Sequence, residues 1–303
     1  MSEIRVTRRE FVQDTAAAAA AGAALTAGTV AKPYDKRRLS YAGTFTNPWK
    51  VATIRTIEWA TAKLKLLSLI RKFERRGAPV GQAFWPQALE IMGIDVKTPA
   101  EQIARIPPTG PLVVMANHPH GLVDGMVLAH LIGQVRTDYK ILTRSLLTGI
   151  PEIAEFMLPV PFPHEENAQA ESLKMRAECM ATLKAGGVIV LFPAGAVAHS
   201  ETFFGPAIEG EWNPFSAKMV ARSGASVLPI YFPGHNTRLY QIANKLSATL
   251  RQGLLLHEIK AALNKPQAPV IGHALSPEDL REPLKNPRQW LADLRQHTLN
   301  LRD

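Results

Sequence analysis

Pro111-Leu112-Val113-Val114-Met115-Ala116-Asn117-His118-Pro119-His120-Gly121-Leu122-Val123-Asp124-Gly125 is the stretch from which the rest of the chain can be read. An unbroken apolar run from Pro111 to Ala116 reads as a strand buried on both faces, and Val123 to Gln134 reads as the helix that follows. The same alternation continues downstream. Strands are expected at Tyr139 to Thr143, Val188 to Phe192 and Val227 to Phe232, and helices at Ala168 to Ala185 and Pro214 to Ser223. Short apolar strands alternating with helices predict an α/β fold: a mixed, mostly parallel sheet flanked by helices and preceded by N-terminal helices. The polar residues between strand and helix then sit at a strand's carboxyl end, where such sheets place their sites.

Within that loop His118 precedes Asp124 by a spacing that lets the carboxylate accept one ring N–H and leave the other nitrogen free to take a proton from a hydroxyl. This supplies a base but no nucleophile. The chain contains no Gly-x-Ser-x-Gly elbow, which disfavours an acyl-enzyme route and favours direct attack by a substrate hydroxyl. His120 is expected to line the site or face solvent. A metal site built from His118, His120 and Asp124 is disfavoured, because no further ligand motif follows at metal spacing.

Four ordered blocks resemble the PlsC-like glycerolipid and lysophospholipid acyltransferases. The first is Asn117-His118 with Asp124; its five intervening residues resemble the hemolysin-like branch, whose form is Asn-His-Pro-x-Gly-x-x-Asp-Gly. The second is Lys140 to Pro151, where the resemblance makes Arg144 a contact for an acceptor phosphate or headgroup. The third, Gly187 to Gly195, is similar to a strand and turn ending Phe-Pro-Glu-Gly, with Ala194 in place of the glutamate. The fourth is Val227 to Phe232 around Pro229. The blocks span residues 105–275.

The resemblance implies an O-acyltransferase with His118 as general base and Asp124 orienting it. Asn117, Arg144, Phe192, Pro193 and Gly195 would contact substrate, and amides near Gly195 would receive the oxyanion. It further implies acyl-coenzyme A or acyl-carrier protein as donor, a lyso-lipid as acceptor, and no metal or redox cofactor. One departure matters. Ala196-Val197 stand where the family carries Thr-Arg, so an arginine that commonly holds an acceptor phosphate is absent, and a lyso-lipid of another kind becomes a live acceptor. The rival readings are an idle lipid-binding protein on the same scaffold and a hydrolase or transacylase.

Thirty-five Lys and Arg against 26 Asp and Glu give a formal charge of +9, which favours anionic partners such as acidic headgroups or phosphate-rich carriers. No nucleic-acid-binding signature is present. Cys179 is the single cysteine, which excludes an internal disulfide. Asn47 to Arg76 predicts a basic amphipathic helix, with Ile54, Ile57, Leu64, Leu67 and Ile70 facing inward and Trp49 and Trp59 expected in the core; lying on a membrane is the alternative. The organisation expected is a tail at 1–35, a helical segment at 45–104, the acyltransferase domain at 105–275 and a C-terminal helix at 276–303. A single helix is expected from Thr237 to Asn264. Thr7-Arg8-Arg9 before an alanine-rich run resembles a twin-arginine export signal, with a disordered tail as the other reading. Thioester donors are cytoplasmic, which favours a peripheral position on the cytoplasmic face of the inner membrane; periplasmic export is the alternative.

Overall fold

The computed structural model describes residues 39–143, 147–148, 150–161, 167–280 and 285–302. The export-like segment and Arg144 lie outside them. A six-stranded sheet forms the centre: β1 (Leu112–Ala116), β2 (Tyr139–Thr143), β3 (Met157–Pro159), β4 (Val188–Leu191), β7 (Ser226–Tyr231) and β8 (Val270–Ile271), in the order β3-β2-β4-β1-β7-β8. Neighbours run parallel except β7 and β8, so the sheet is mixed and mostly parallel, as expected. β1 lies at its middle, pairing Leu112 with both Val188 and Ser226. A small antiparallel hairpin, β5 (His199–Ser200) and β6 (Ala207–Ile208), stands apart from it.

The apolar run of β1 is explained by what covers it. Strand side chains alternate faces, and Leu112, Val114 and Ala116 pack with α3 (Phe84–Met92) and α4 (Leu122–Ile132). Val113 and Met115 pack on the other face against α5 (Ala168–Lys184), α6 (Pro214–Ser223) and α10 (Pro287–Leu299). All five β1 residues are fully buried, and each of the Leu, Val and Met side chains contributes about 1.5–3 kcal/mol through removal from water. Cys179 belongs to this second layer; burial pushes its thiol up to about 12, which leaves it unreactive at neutral pH.

At the amino ends of the strands Arg136 joins three loops. Its guanidinium donates to Asp138 at 2.9 and 2.6 Å and to the carbonyls of Gly110 and Gly186 at 2.6 Å each. These residues precede β2, β1 and β4, so one buried cation ties together the starts of three strands.

Two helical expectations are corrected. The segment opening at Asn47 is helical, with Asn47 Oδ1 accepting from the Trp49 and Lys50 amides. However, α1 (Pro48–Glu58) passes through a π-helical turn at Trp59–Lys63 before α2 (Leu64–Arg75). The wider turn shifts the helical phase, so beyond it Leu66 rather than Leu64 is buried; Ile54 and Ala62 are buried too, whereas Trp49 and Trp59 are exposed rather than core. The region from Thr237 to Asn264 is three helices: α7 (Arg238–Leu246), α8 (Ala248–Gly253) and α9 (Leu255–Ala262). Ser247 is extended, φ −165°, and its hydroxyl accepts from the Thr249 amide, which ends one helix and caps the next. The bend brings α8 against α1, with Gly253 so close to Ile57 that an added Cβ would lie 3.0 Å from its Cδ1. Strand β3, in a proline-rich stretch, was not foreseen.

Candidate active site

Gly121 opens α4 with φ +83°, a conformation that favours glycine. It turns the chain so that Asp124 occupies the third helical position and its carboxylate reaches back over the loop. The Gly121 and His120 amides donate to Oδ2 at 3.0 and 2.8 Å. The His118 Nδ1–H donates to the same oxygen at 3.0 Å, and the His120 Nδ1–H donates to Oδ1 at 3.0 Å. Asp124 is wholly buried, which alone would raise its pKa. Hydrogen bonds from the two imidazoles outweigh that and hold it at about 2, so it is a carboxylate at any working pH. The helix N-terminus adds to this preference.

One face of the His118 ring stacks on Phe192, with centroids 3.8 Å apart and planes 19° apart. Its backbone is held as well. The His118 amide donates to Glu209 Oε2 at 3.0 Å, and its carbonyl accepts from the Ala198 amide at 2.8 Å. Glu209 is buried, and burial raises its pKa against the opposing effect of the His118 amide. Its Oε1 accepts the Trp212 indole N–H at 3.2 Å, while Arg295 of α10 donates to the Glu209 and Gly210 carbonyls. With Nδ1 and one ring face engaged, Nε2 is the nitrogen of His118 left to take a proton.

His120 is placed differently. Its Nε2 lies against Gly234, where an added Cβ would approach to 2.8 Å. Burial lowers its pKa, but the Asp124 hydrogen bond and the charges of Asp124 and Glu258 overcome this, and the net shift is upward.

Both histidines line a cavity of 450 Å³. Phe192, Pro193 and Gly195, the expected substrate contacts, line it too. Gly195 has φ +66°, and its own amide donates to the Phe192 carbonyl at 2.9 Å, so that amide is already engaged. The next two residues, Ala196 and Val197, also line the cavity, and their amides meet no acceptor among the described residues. Its lining includes the apolar Ile141, Leu142, Val160, Met175 and Phe215. It also includes Tyr41, Tyr240, Arg251 and Gln252. Tyr41 is carried there by the segment before α1: its amide and the Ser40 hydroxyl each donate to buried Glu58 at 2.6 Å.

Asn117 is not a cavity residue, which corrects the expected substrate contact. Its amide donates to the Phe232 carbonyl at 2.8 Å and accepts the Phe232 N–H at 2.7 Å, closing the seam beyond β1 and β7. Among the described residues no group of three or more His, Cys, Asp or Glu is arranged to hold a metal ion. Sequence reasoning missed the second imidazole on Asp124, although the i, i+4 spacing of His120 was a signal. It had none for Glu209, Tyr41 or Arg251, which reach the site from distant segments.

A family model described as acyltransferase matches residues 84–260. Two lyso-glycine lipid O-acyltransferases are similar in sequence. That of Phocaeicola vulgatus is 23% identical over 218 residues, covering 70% of this chain and 75% of the relative. That of Bacteroides thetaiotaomicron is 25% identical over 171 residues, covering 56% of this chain and 60% of the relative; the match spans under two thirds of the latter's length. The crystal structure of PlsC, the 1-acyl-sn-glycerophosphate (LPA) acyltransferase from Thermotoga maritima, aligns at 15% identity and a TM-score of 0.47, over 77% of this chain and 81% of that one.

Proposed function

The chain belongs to the acyltransferase family, and from that premise we propose that it moves a fatty acyl group from an acyl thioester to the hydroxyl of a lyso-lipid, with His118 as general base and Asp124 orienting it. The observation that carries this reading is the His118 ring itself. Asp124 engages Nδ1 and Phe192 covers one face, while the ring borders a cavity lined by both apolar and polar side chains.

In the proposed step Nε2 of His118 accepts the acceptor's hydroxyl proton as that oxygen attacks the thioester carbonyl carbon. The tetrahedral oxyanion rests on the Ala196 and Val197 amides, which meet no acceptor among the described residues. The C–S bond then breaks, the thiolate leaves, and the imidazolium returns the proton to sulfur. Buried Asp124, already ionised, stabilises the imidazolium in between. The apolar part of the lining suits the acyl chain. Lyso-glycine lipid acceptors, named for the two relatives, fit a site lacking the arginine that the family places beside its Gly-Thr turn.

Coenzyme A or acyl-carrier protein is the proposed donor, both being acidic partners for a chain of net charge +9. Among the described residues no helix is long and apolar enough to cross a membrane. Exposed Trp49, Trp59 and Leu64 on the basic α1–α2 segment support contact with a membrane surface. The proposed location is peripheral, on the cytoplasmic side where thioester donors occur.

The test is to incubate the protein and its His118→Ala variant with a labelled acyl thioester and mixed lyso-lipids, and to read products by mass spectrometry. A new acylated lipid should form with the wild type and fall by about 10²–10⁴-fold in the variant. Equal product from both would remove His118 from the mechanism, and none from either would remove thioester donors.

A further inference from the structure

Among the described residues lining the cavity are two arginines, Arg176 and Arg251, and no aspartate or glutamate. The ion pairs among the described residues include neither. The two are differently held. Arg176 is exposed on α5, its guanidinium 5.3 Å from the centre of the Phe215 ring. Arg251, on α8, is half-buried, and Nη1 donates to Asn244 Oδ1 at 3.1 Å. That is the one acceptor its fork of five N–H groups meets among the described residues.

Besides Arg251 the same lining carries two more groups with unused hydrogen-bonding capacity. Tyr240 is buried, yet its hydroxyl meets no partner among the described residues. Gln252 follows Arg251 in the chain, and its side-chain amide is likewise unengaged. Arg251 is held in place by the break that ends α7 at Ser247 and by the packing of Gly253 on Ile57. The turn after Gly195, where the family resemblance leads one to look for a cation, holds Ala196 and Val197 instead.

We propose that Arg251, with the Tyr240 hydroxyl and Gln252 amide beside it, holds the anionic headgroup of the acyl acceptor, a carboxylate or a phosphate borne by the lipid. This rests on the acceptor reading given above. A planar guanidinium pairs with either group through two parallel N–H···O bonds. Among the described residues the cavity presents no carboxylate, so such an anion meets a cation that none of them neutralises. A glycine joined to a fatty acid through its nitrogen keeps its carboxylate, so a lyso-glycine lipid carries this chemistry. The arginine is therefore supplied from α8 rather than from the turn after β4.

The test uses lipids that bind but lack the hydroxyl to be acylated: N-acylglycine, its neutral methyl ester, and an alkyl phosphate of equal chain length, each titrated by calorimetry below its micelle concentration. The wild type should bind N-acylglycine or the alkyl phosphate at least tenfold tighter than the ester, and the tighter of the two names the headgroup. Arg251→Gln should erase that preference, Arg251→Lys should restore part of it, and Arg176→Gln should keep it. Equal binding of acids and ester by the wild type overturns the proposal, as does a preference that survives in a folded Arg251→Gln protein. A wild type that shows the preference but transfers no acyl group to a hydroxylated acceptor sinks the transferase reading and leaves the headgroup site standing.

Discussion

The Nδ1–H of His120 lies 3.0 Å from Oδ1 of Asp124, the oxygen that the His118 ring leaves unused. One buried carboxylate thus orients two imidazoles, and only that of His118 is stacked on Phe192. Replacing His120 with Ala leaves Oδ1 buried without its donor, which should cost on the order of 1–3 kcal/mol of stability. Turnover should fall by about tenfold, through looser placement of Asp124, and so by less than in His118→Ala. Measured kcat for the two variants decides it. An equal loss in both would make His120 a second proton-transfer group.

Asp124 has its pKa depressed from 3.8 to about 2. A group of this kind stabilises the fold fully above its unfolded value, and the contribution is lost as pH falls through the folded one. The shift corresponds to about 2 kcal/mol, present at pH 5 and fading toward pH 2. Urea unfolding across that range should show stability falling more steeply in the wild type than in Asp124→Asn. Parallel curves would show that the aspartate gains nothing from its four donors. His120 acts with the opposite sign, because its pKa is raised. Its contribution is present below the unfolded pKa and is lost as pH rises through the folded one.

Phe192 contributes one face to the His118 ring, and such pairs are worth about 0.5–1.5 kcal/mol beyond the area buried. Phe192→Leu keeps the bulk and removes the π face. We expect kcat to drop by about fivefold, equivalent to ~1 kcal/mol, with the KM for acceptor little changed. A change in KM alone would make Phe192 a binding contact instead.

Arg136 sits at the amino ends of the strands, away from the cavity at their carboxyl ends. Arg136→Ala removes the shared donor of two loop carbonyls and the partner of Asp138, and should destabilise by about 3 kcal/mol. At temperatures where the variant remains folded, kcat/KM should match the wild type. Lost activity in the folded variant would contradict a purely architectural role.

Trp49 and Trp59 are large apolar side chains left in solvent on a basic helical segment. The paired variant Trp49→Ser/Trp59→Ser should bind anionic vesicles at least tenfold more weakly in co-sedimentation while acylating micellar acceptors normally. Unchanged vesicle binding would assign membrane contact to another face.

Regular features of this protein followed from the sequence because their causes are local. The five-residue run of β1 is apolar throughout since both faces are covered, and the spacing of His118 and Asp124 brings them together through one tight turn and the first turn of α4. The glycine at Gly121 was part of the same signal. What tertiary structure alone decided depends on distance in the chain or on a break in periodicity. The π-helical turn at Trp59–Lys63 rephased a helix whose 3.6-residue pattern had placed Leu64 inside. Asn117 looked like a ligand-facing polar residue, and only the arrival of Phe232 beside it 115 residues later turned its amide to closing the sheet. Glu209 reaches the His118 backbone, and Tyr41 and Arg251 the cavity, from three separate segments. Their placement depends on packing and hydrogen bonds between residues far apart in the chain, which no local pattern of residue types encodes.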